Sequence, residues 1–150
     1  MNVVVESPVG PLGADSDGTA ITRLIWGRAG NVDNGPLGMR FEQEMSAYFG
    51  GDLRDFTLPL APAGGPFQQD FLQALLAIPY GETRTYGDLA KDLDVSAQAI
   101  GQACGANPIA ILIPCHRVLA ANGLGGYSGA GGIEAKVTLL KLEGAAGLLI

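Results

Sequence analysis

The sequence is poor in the residues that usually announce a chemistry: 150 residues hold two cysteines, one histidine and one tryptophan, and only 16% are charged. Two cysteines, Cys104 and Cys115, do not make a disulfide scaffold. They read as free thiols, one of them a candidate for reactivity. With a single histidine they fall short of the four ligands of a closed zinc site, so neither a metal nor another cofactor is expected. Long apolar runs are also missing. Runs such as Ile109 to Ile113 and the final Leu148 to Ile150 are short, far below the ~20 residues of a membrane span. No signal-peptide pattern opens the chain, and a soluble, cytoplasmic protein is expected.

Positive charge is scarce: nine Lys and Arg stand against 15 Asp and Glu, for a net charge of −6. Residues 1–63 carry four basic and eight acidic side chains, residues 64–150 five and seven. No basic stripe appears in either half, which excludes wholesale electrostatic adhesion to nucleic acid. Any DNA contact by this chain would use a small, shaped surface with few phosphate contacts, modest affinity and a shallow salt dependence.

What is present is apolar patterning. A hydrophobic content of 47% marks a compact globular chain of one or two small domains. Leu58 to Pro66, rich in Pro and Gly, is the natural boundary between domains 1–63 and 64–150. Before it, Val3–Val5 and Ala20–Trp26 read as strands, separated by the turn residues Ser7-Pro8, Gly10-Pro11 and Asp15-Ser16-Asp17-Gly18. A helix follows from about Leu37 to Phe49, ended by Gly50-Gly51. After the boundary, Pro66 opens a helix whose Phe67, Phe71, Leu72, Leu75 and Leu76 share a face. Thr85 with Asp88 resembles a capping box for a helix to Leu93, and Ser96 caps a second, Ala97 to Cys104, stopped at Gly105. With Asp94-Val95 between them they form a helix-turn-helix. The last helix runs from about Gly132 to Glu143, with Ile133, Val137 and Leu140 inward and Gly144 closing it. The fold class is α/β (α+β).

The second short helix, Ala97-Gln98-Ala99-Ile100-Gly101-Gln102-Ala103-Cys104, has no Lys or Arg. Taken alone, small side chains fit close packing against a neighbouring helix best; the other reading is entry into a DNA minor groove, where sequence readout is poor. Downstream, the apolar run 109–113 delivers the chain to Pro114-Cys115-His116-Arg117. Proline fixes φ and lacks a donor, so the chain turns away from a central strand there. His116 and Arg117 could favour a Cys115 thiolate. Taken alone, the Cys-His pair fits an inert packed cysteine at least as well.

The combination of blocks is specific. Pro114-Cys115-His116-Arg117-Val118 after an apolar run is similar to the signature of the methylated-DNA–protein-cysteine methyltransferases (O6-alkylguanine-DNA alkyltransferases). The resemblance extends through Pro79-Tyr80-Gly81-Glu82-Thr83, Thr85-Tyr86, Ile100-Gly101, Asn107-Pro108, Gly126-Tyr127-Ser128-Gly129, Lys136 and Leu142-Glu143-Gly144, covering residues 66–144. For residues 1–63 it implies only an RNase H-like domain of sheet and helix, and for residues 64–150 a winged-helix-like, mostly helical domain holding the cysteine.

The resemblance implies stoichiometric DNA repair. In that reading Cys115 takes the alkyl group from O6 of guanine, with O4 of thymine a second candidate donor, and is not regenerated. His116 resembles the base acting through a bound water, and Glu143 the carboxylate that orients it. In an extended chain the adjacent Cys115 and His116 would point to opposite sides, leaving room for that water. Tyr86 resembles the donor to the leaving guanine, and Asn107 the amide that ties the turn before the cysteine segment. Val118, Tyr127, Ser128 and Lys136 resemble substrate-site residues. Thr85, Ser96, Ala97, Gln98, Ala99, Gly101 and Arg117 fall on the DNA-binding side. The implied partner is double-stranded DNA with an O6-alkylguanine flipped out through the minor groove, bound by a monomer at most nucleoid-associated. Gln98 stands where family members carry an arginine, which implies a lighter grip on DNA. A lesion-binding relative without transfer would lack the cysteine. A Cys-His hydrolase would have no use for the helix-turn-helix, and a regulator would need a further domain.

Overall fold

The computed structural model describes residues 2–127 and 132–145. The architecture is mixed α/β, and the chain divides into two compact units, Met1–Ala63 and Gly64–Ile150.

In the first unit β1 (Leu12–Ser16) pairs antiparallel with β2 (Ile21–Trp26), from Leu12 opposite Trp26 to Ser16 opposite Ile21, with an irregularity between Asp15 and Ser16. Residues 15 and 16, expected as turn, extend β1; the turn itself is set by Asp17, whose carboxylate accepts from the N–H of Thr19 and Ala20. The strand expected at Val3–Val5 is not a regular one. Val3 donates to Val32 and Val5 pairs with Leu12, so the segment bonds to two different neighbours instead of one ladder. Helix α1 (Pro36–Phe49) opens on Pro36 and buries Gly38, Phe41, Met45 and Tyr48. A Cβ on Gly38 would collide with the Asp33 carbonyl, which is why the first turn of α1 packs so closely there.

In the second unit α2 (Pro66–Leu76) buries Phe71, Leu72 and Leu75, while Phe67 and Leu76 are exposed. At about 100° per residue the five expected core positions spread over roughly half the helix circumference, and only the middle of that arc meets the core. The two-residue strand β3 (Arg84–Thr85) lies parallel to β4 (Val118–Leu119). Helix α3 (Tyr86–Leu93) starts from a complete capping box: Thr85 Oγ1 accepts from Asp88 N at 3.0 Å and Asp88 Oδ2 from Thr85 N at 2.9 Å. Asp94 leaves α3 in the left-handed region, and Ser96 Oγ accepts from Ala99 N at 3.1 Å to open α4 (Ala97–Gly105).

Helix α5 (Gly132–Leu142) turns Ala135, Lys136, Leu139 and Leu140 inward, correcting part of the expected face: Leu140 is buried, but Ile133 is exposed and Val137 only half-buried. Among the described residues no helix is long and apolar enough to cross a membrane.

Candidate active site

The site grows out of the loop between α4 and β4. All five residues of the run 109–113 are buried, yet they form a wound loop and no strand: Leu112 donates to Ala110 and Ile113 to Ile109, each at 2.9 Å. Ile111 sits at φ 72°, a conformation that costs a β-branched residue of the order of 1–3 kcal/mol. Asn107 holds this winding at both ends. Its Oδ1 accepts from Ile109 N at 3.0 Å and its Nδ2 donates to Ile113 O at 2.9 Å.

Pro114 then leads into a single 3-10 turn, Cys115–Arg117, where extended chain was expected. The Cys115 N–H is already bonded to Ile113 O and the Arg117 N–H to Pro114 O, which closes the turn. At three residues per turn, successive side chains leave about a third of a circle apart. Cys115 lines a cavity, while His116 and Arg117 both engage Glu143.

His116 Nε2 lies 2.8 Å from Glu143 Oε2, and neither side chain is exposed. A carboxylate only accepts, so Nε2 carries the proton and Nδ1 keeps the lone pair. Nδ1 is buried without a hydrogen-bond partner among the described residues. Burial holds the His116 pKa below the usual 6.5 against the opposing pull of Glu143, leaving a neutral imidazole with a free basic nitrogen.

Arg117 was expected at the DNA surface and as an aid to a Cys115 thiolate; the structure places it inside. Its Nε and Nη2 donate to the two oxygens of Glu143 at 2.8 and 3.1 Å, and its Nη1 donates to Ile78 O at 2.7 Å. The ring of Tyr80 lies 5.7 Å from its guanidinium. This buried fork compensates the carboxylate and fixes its orientation.

Lys136, solvated on composition alone, is fully buried. Its Nζ donates to Val118 O at 2.6 Å and Gly126 O at 3.0 Å, and lies 5.9 Å from the centre of the Tyr86 ring. Burial pushes the Cys115 thiol up from its usual range, opposed by a hydrogen bond from Asn107, the Lys136 ammonium and Tyr127. Burial, then the neighbouring thiols, also raise the Tyr86 phenol, which keeps it a donor at neutral pH.

The cavity holds about 310 Å³ and is lined by Tyr86, Gly101, Cys104, Gly105, Cys115, Gly126 and Tyr127. Of the expected residues, Cys115, Tyr86, Tyr127 and Gly101 meet there, with Asn107, His116, Glu143 and Lys136 supporting the acceptor. Val118 is fully buried and off the lining; its part is the carbonyl that holds Lys136. Thr85 and Ser96 serve as helix caps, while Ala97 and Gln98 are exposed on α4 and Ala99 is half-buried. Ser128 lies outside the described residues. Cys104, whose role the sequence left open, and Gly126, from the glycine-flanked loop, join the lining; Tyr80, matched only as part of a block, lies behind Arg117. Gly105 on the lining and Ile78 behind Arg117 were not singled out, although Gly101, Cys104 and Gly105 stand at i, i+3 and i+4, the spacing of one helix face. Among the described residues no cluster of His, Cys, Asp or Glu could hold a metal ion.

A family model described as 6-O-methylguanine DNA methyltransferase, DNA binding domain, matches residues 66–145. The methylated-DNA–protein-cysteine methyltransferase of Methanosarcina acetivorans is 43% identical over 94% of this chain and 96% of its own. That of Mycobacterium leprae is 43% identical over 93% and 89%. The crystal structure of Mycobacterium tuberculosis OGT in complex with DNA superposes with a TM-score of 0.84 at 42% identity, covering 94% of this chain and 91% of that one. On this evidence the chain belongs to the methylated-DNA–protein-cysteine methyltransferase family.

Proposed function

We propose that this chain repairs DNA by moving an alkyl group from O6 of guanine onto Cys115, once per molecule. One observation carries the reading: Cys115 lines a cavity large enough for a base, and a neutral, carboxylate-backed histidine follows it in the chain.

The chemistry follows from the residues. Cys115 Sγ attacks the alkyl carbon, forming an S–C bond as the C–O6 bond breaks. The thiol proton passes through a water to His116 Nδ1, and Glu143 stabilises the imidazolium that results. Lys136 and Asn107 favour the developing thiolate. Tyr86 donates a hydrogen bond to the departing guanine, which leaves more readily when its new charge is met. The product is a thioether, and nothing among the described residues of the site offers a route to reverse it.

The unit 64–150 is the DNA-binding and acceptor domain in this reading, and 1–63 an RNase H-like domain. α4 enters the minor groove of double-stranded DNA through Ala97, Gln98, Ala99 and Gly101, with Thr85 and Ser96 at the helix starts beside it. The lesion is flipped into the cavity beneath Tyr127, and the protein acts as a cytoplasmic monomer.

The test is an oligonucleotide duplex carrying O6-methylguanine, read by intact mass and peptide mapping. One methyl group on Cys115, with one turnover per protein and none for Cys115→Ala, is the expected result. Binding without transfer, or repeated turnover, would overturn the reading.

A further inference from the structure

The cavity holds a second thiol that the transfer chemistry does not use. Cys104 stands in the last turn of α4, half-buried, and lines the same cavity as Cys115. One residue links the two. The Cys104 carbonyl accepts from Asn107 N at 3.2 Å, while the Asn107 side chain holds Ile113 and hydrogen-bonds the Cys115 thiol. On the same face of α4, Gly101 and Gly105 have open space where a side chain would stand, which leaves room on the cavity side of the last turn. The chain has no third cysteine to compete.

We propose that Cys104 and Cys115 are a redox-responsive thiol pair: a small-molecule disulfide such as oxidised glutathione closes a Cys104–Cys115 bond that masks the acceptor sulfur, and a thiol reductant reopens it. The exchange proceeds in two displacements. Cys115, the thiol with Lys136, Asn107 and Tyr127 on the thiolate side, gives up its proton and attacks one sulfur of the small disulfide, and the thiolate expelled takes up that proton. Cys104, whose thiol burial and Cys115 push up, attacks the Cys115 sulfur as its own proton passes to the second departing thiolate. Two protein thiols are oxidised and one small disulfide is reduced to two thiols. The internal bond needs the two Cα atoms within about 7 Å, and the open space beside Gly101 and Gly105 is where the last turn of α4 would move to make it.

The disulfide does not depend on Cys115 being the acceptor, whereas the loss of transfer does, so product and activity are read separately. Full-length protein is treated with oxidised glutathione, thiols are counted, and non-reduced peptides are mapped by mass. Expected are the loss of both thiols, a linked peptide pair containing Cys104 and Cys115, and no retained glutathione. Methyl transfer should fall at least tenfold and return with dithiothreitol. In Cys104→Ser and Cys104→Ala the same treatment should leave glutathione on Cys115. A wild-type product that keeps glutathione, links two chains or retains both thiols overturns the proposal. The linked pair with undiminished methyl transfer would instead overturn Cys115 as the acceptor.

Discussion

Replacing Arg117 by Met tests whether the interior arginine, and not a surface role, supports the site. The substitution keeps an unbranched side chain and removes the guanidinium. Glu143, whose side chain is fully excluded from solvent, would keep the His116 contact but lose two charged donors, and the Ile78 carbonyl would lose its side-chain donor. Removing one partner of a buried pair costs about 3–5 kcal/mol, because the remaining charge is left uncompensated. Against roughly 0.05–0.15 kcal/mol of stability per residue, that is a large share of what the unit possesses. The loss has a pH signature. Burial holds the folded His116 below 6.5, and Arg117 acts in the same direction. In the wild type, the stability linked to this histidine is present above pH 6.5 and lost as pH falls through the lowered folded value. Without Arg117 the imidazole takes up its proton more readily beside the leftover carboxylate, so the variant's deficit shrinks on acidification. Urea unfolding followed by far-UV circular dichroism, at mildly alkaline and mildly acidic pH, measures both. A deficit below about 1 kcal/mol, or one equal at both pH values, would refute the reasoning. A cycle with Glu143→Leu should show the two costs to be strongly non-additive.

Three further outcomes are expected. Lys136→Gln removes the ammonium that opposes the rise of the Cys115 thiol, so single-turnover transfer at neutral pH should slow by about tenfold or more, with the rising limb of its pH profile displaced to higher pH. An unmoved limb would deny the lysine its electrostatic part. Gln98→Arg adds a cation to an exposed position of α4; affinity for O6-methylguanine duplex should rise several-fold and the salt slope steepen by about one unit, and an unchanged titration would remove α4 from the DNA contact. Gly125→Ala places a Cβ 2.9 Å from a Tyr86 ring carbon at a backbone φ of 71°, so transfer should fall and stability drop by about 1–3 kcal/mol; full activity would mean that Tyr86 need not hold its place.

The features that could be read from the sequence were those settled between near neighbours. The capping box at Thr85, the Ser96 cap, the proline start of α2 and the glycine after α5 each depend on a few adjacent residues, and each is found where expected. What escaped is settled at a distance. β1 owes its extension to pairing with β2, while Val3 and Val5 answer to Val32 and Leu12 separately. A lysine in a helix reads as solvated until Val118 and Gly126, ten and more residues away, supply its carbonyls. Arg117 reads as a surface cation until Glu143 and Ile78 arrive from two other segments. For the site, the motif around Cys115 was legible as a whole, but its conformation was not. The same five letters suit extended chain, and it is Asn107 together with the left-handed Ile111 that winds the approach and makes a turn of Cys115–Arg117.

The absence of cations from α4 bears on how such a protein would search. In the proposed docking, a helix that offers alanine, glutamine and glycine at its exposed positions would release few counterions on meeting a duplex and add little grip on undamaged DNA. Long one-dimensional excursions along the duplex would then be a poor strategy. Coverage would come from many brief, three-dimensional visits, each probing a short stretch before release, and their frequency would change little as ionic strength rises.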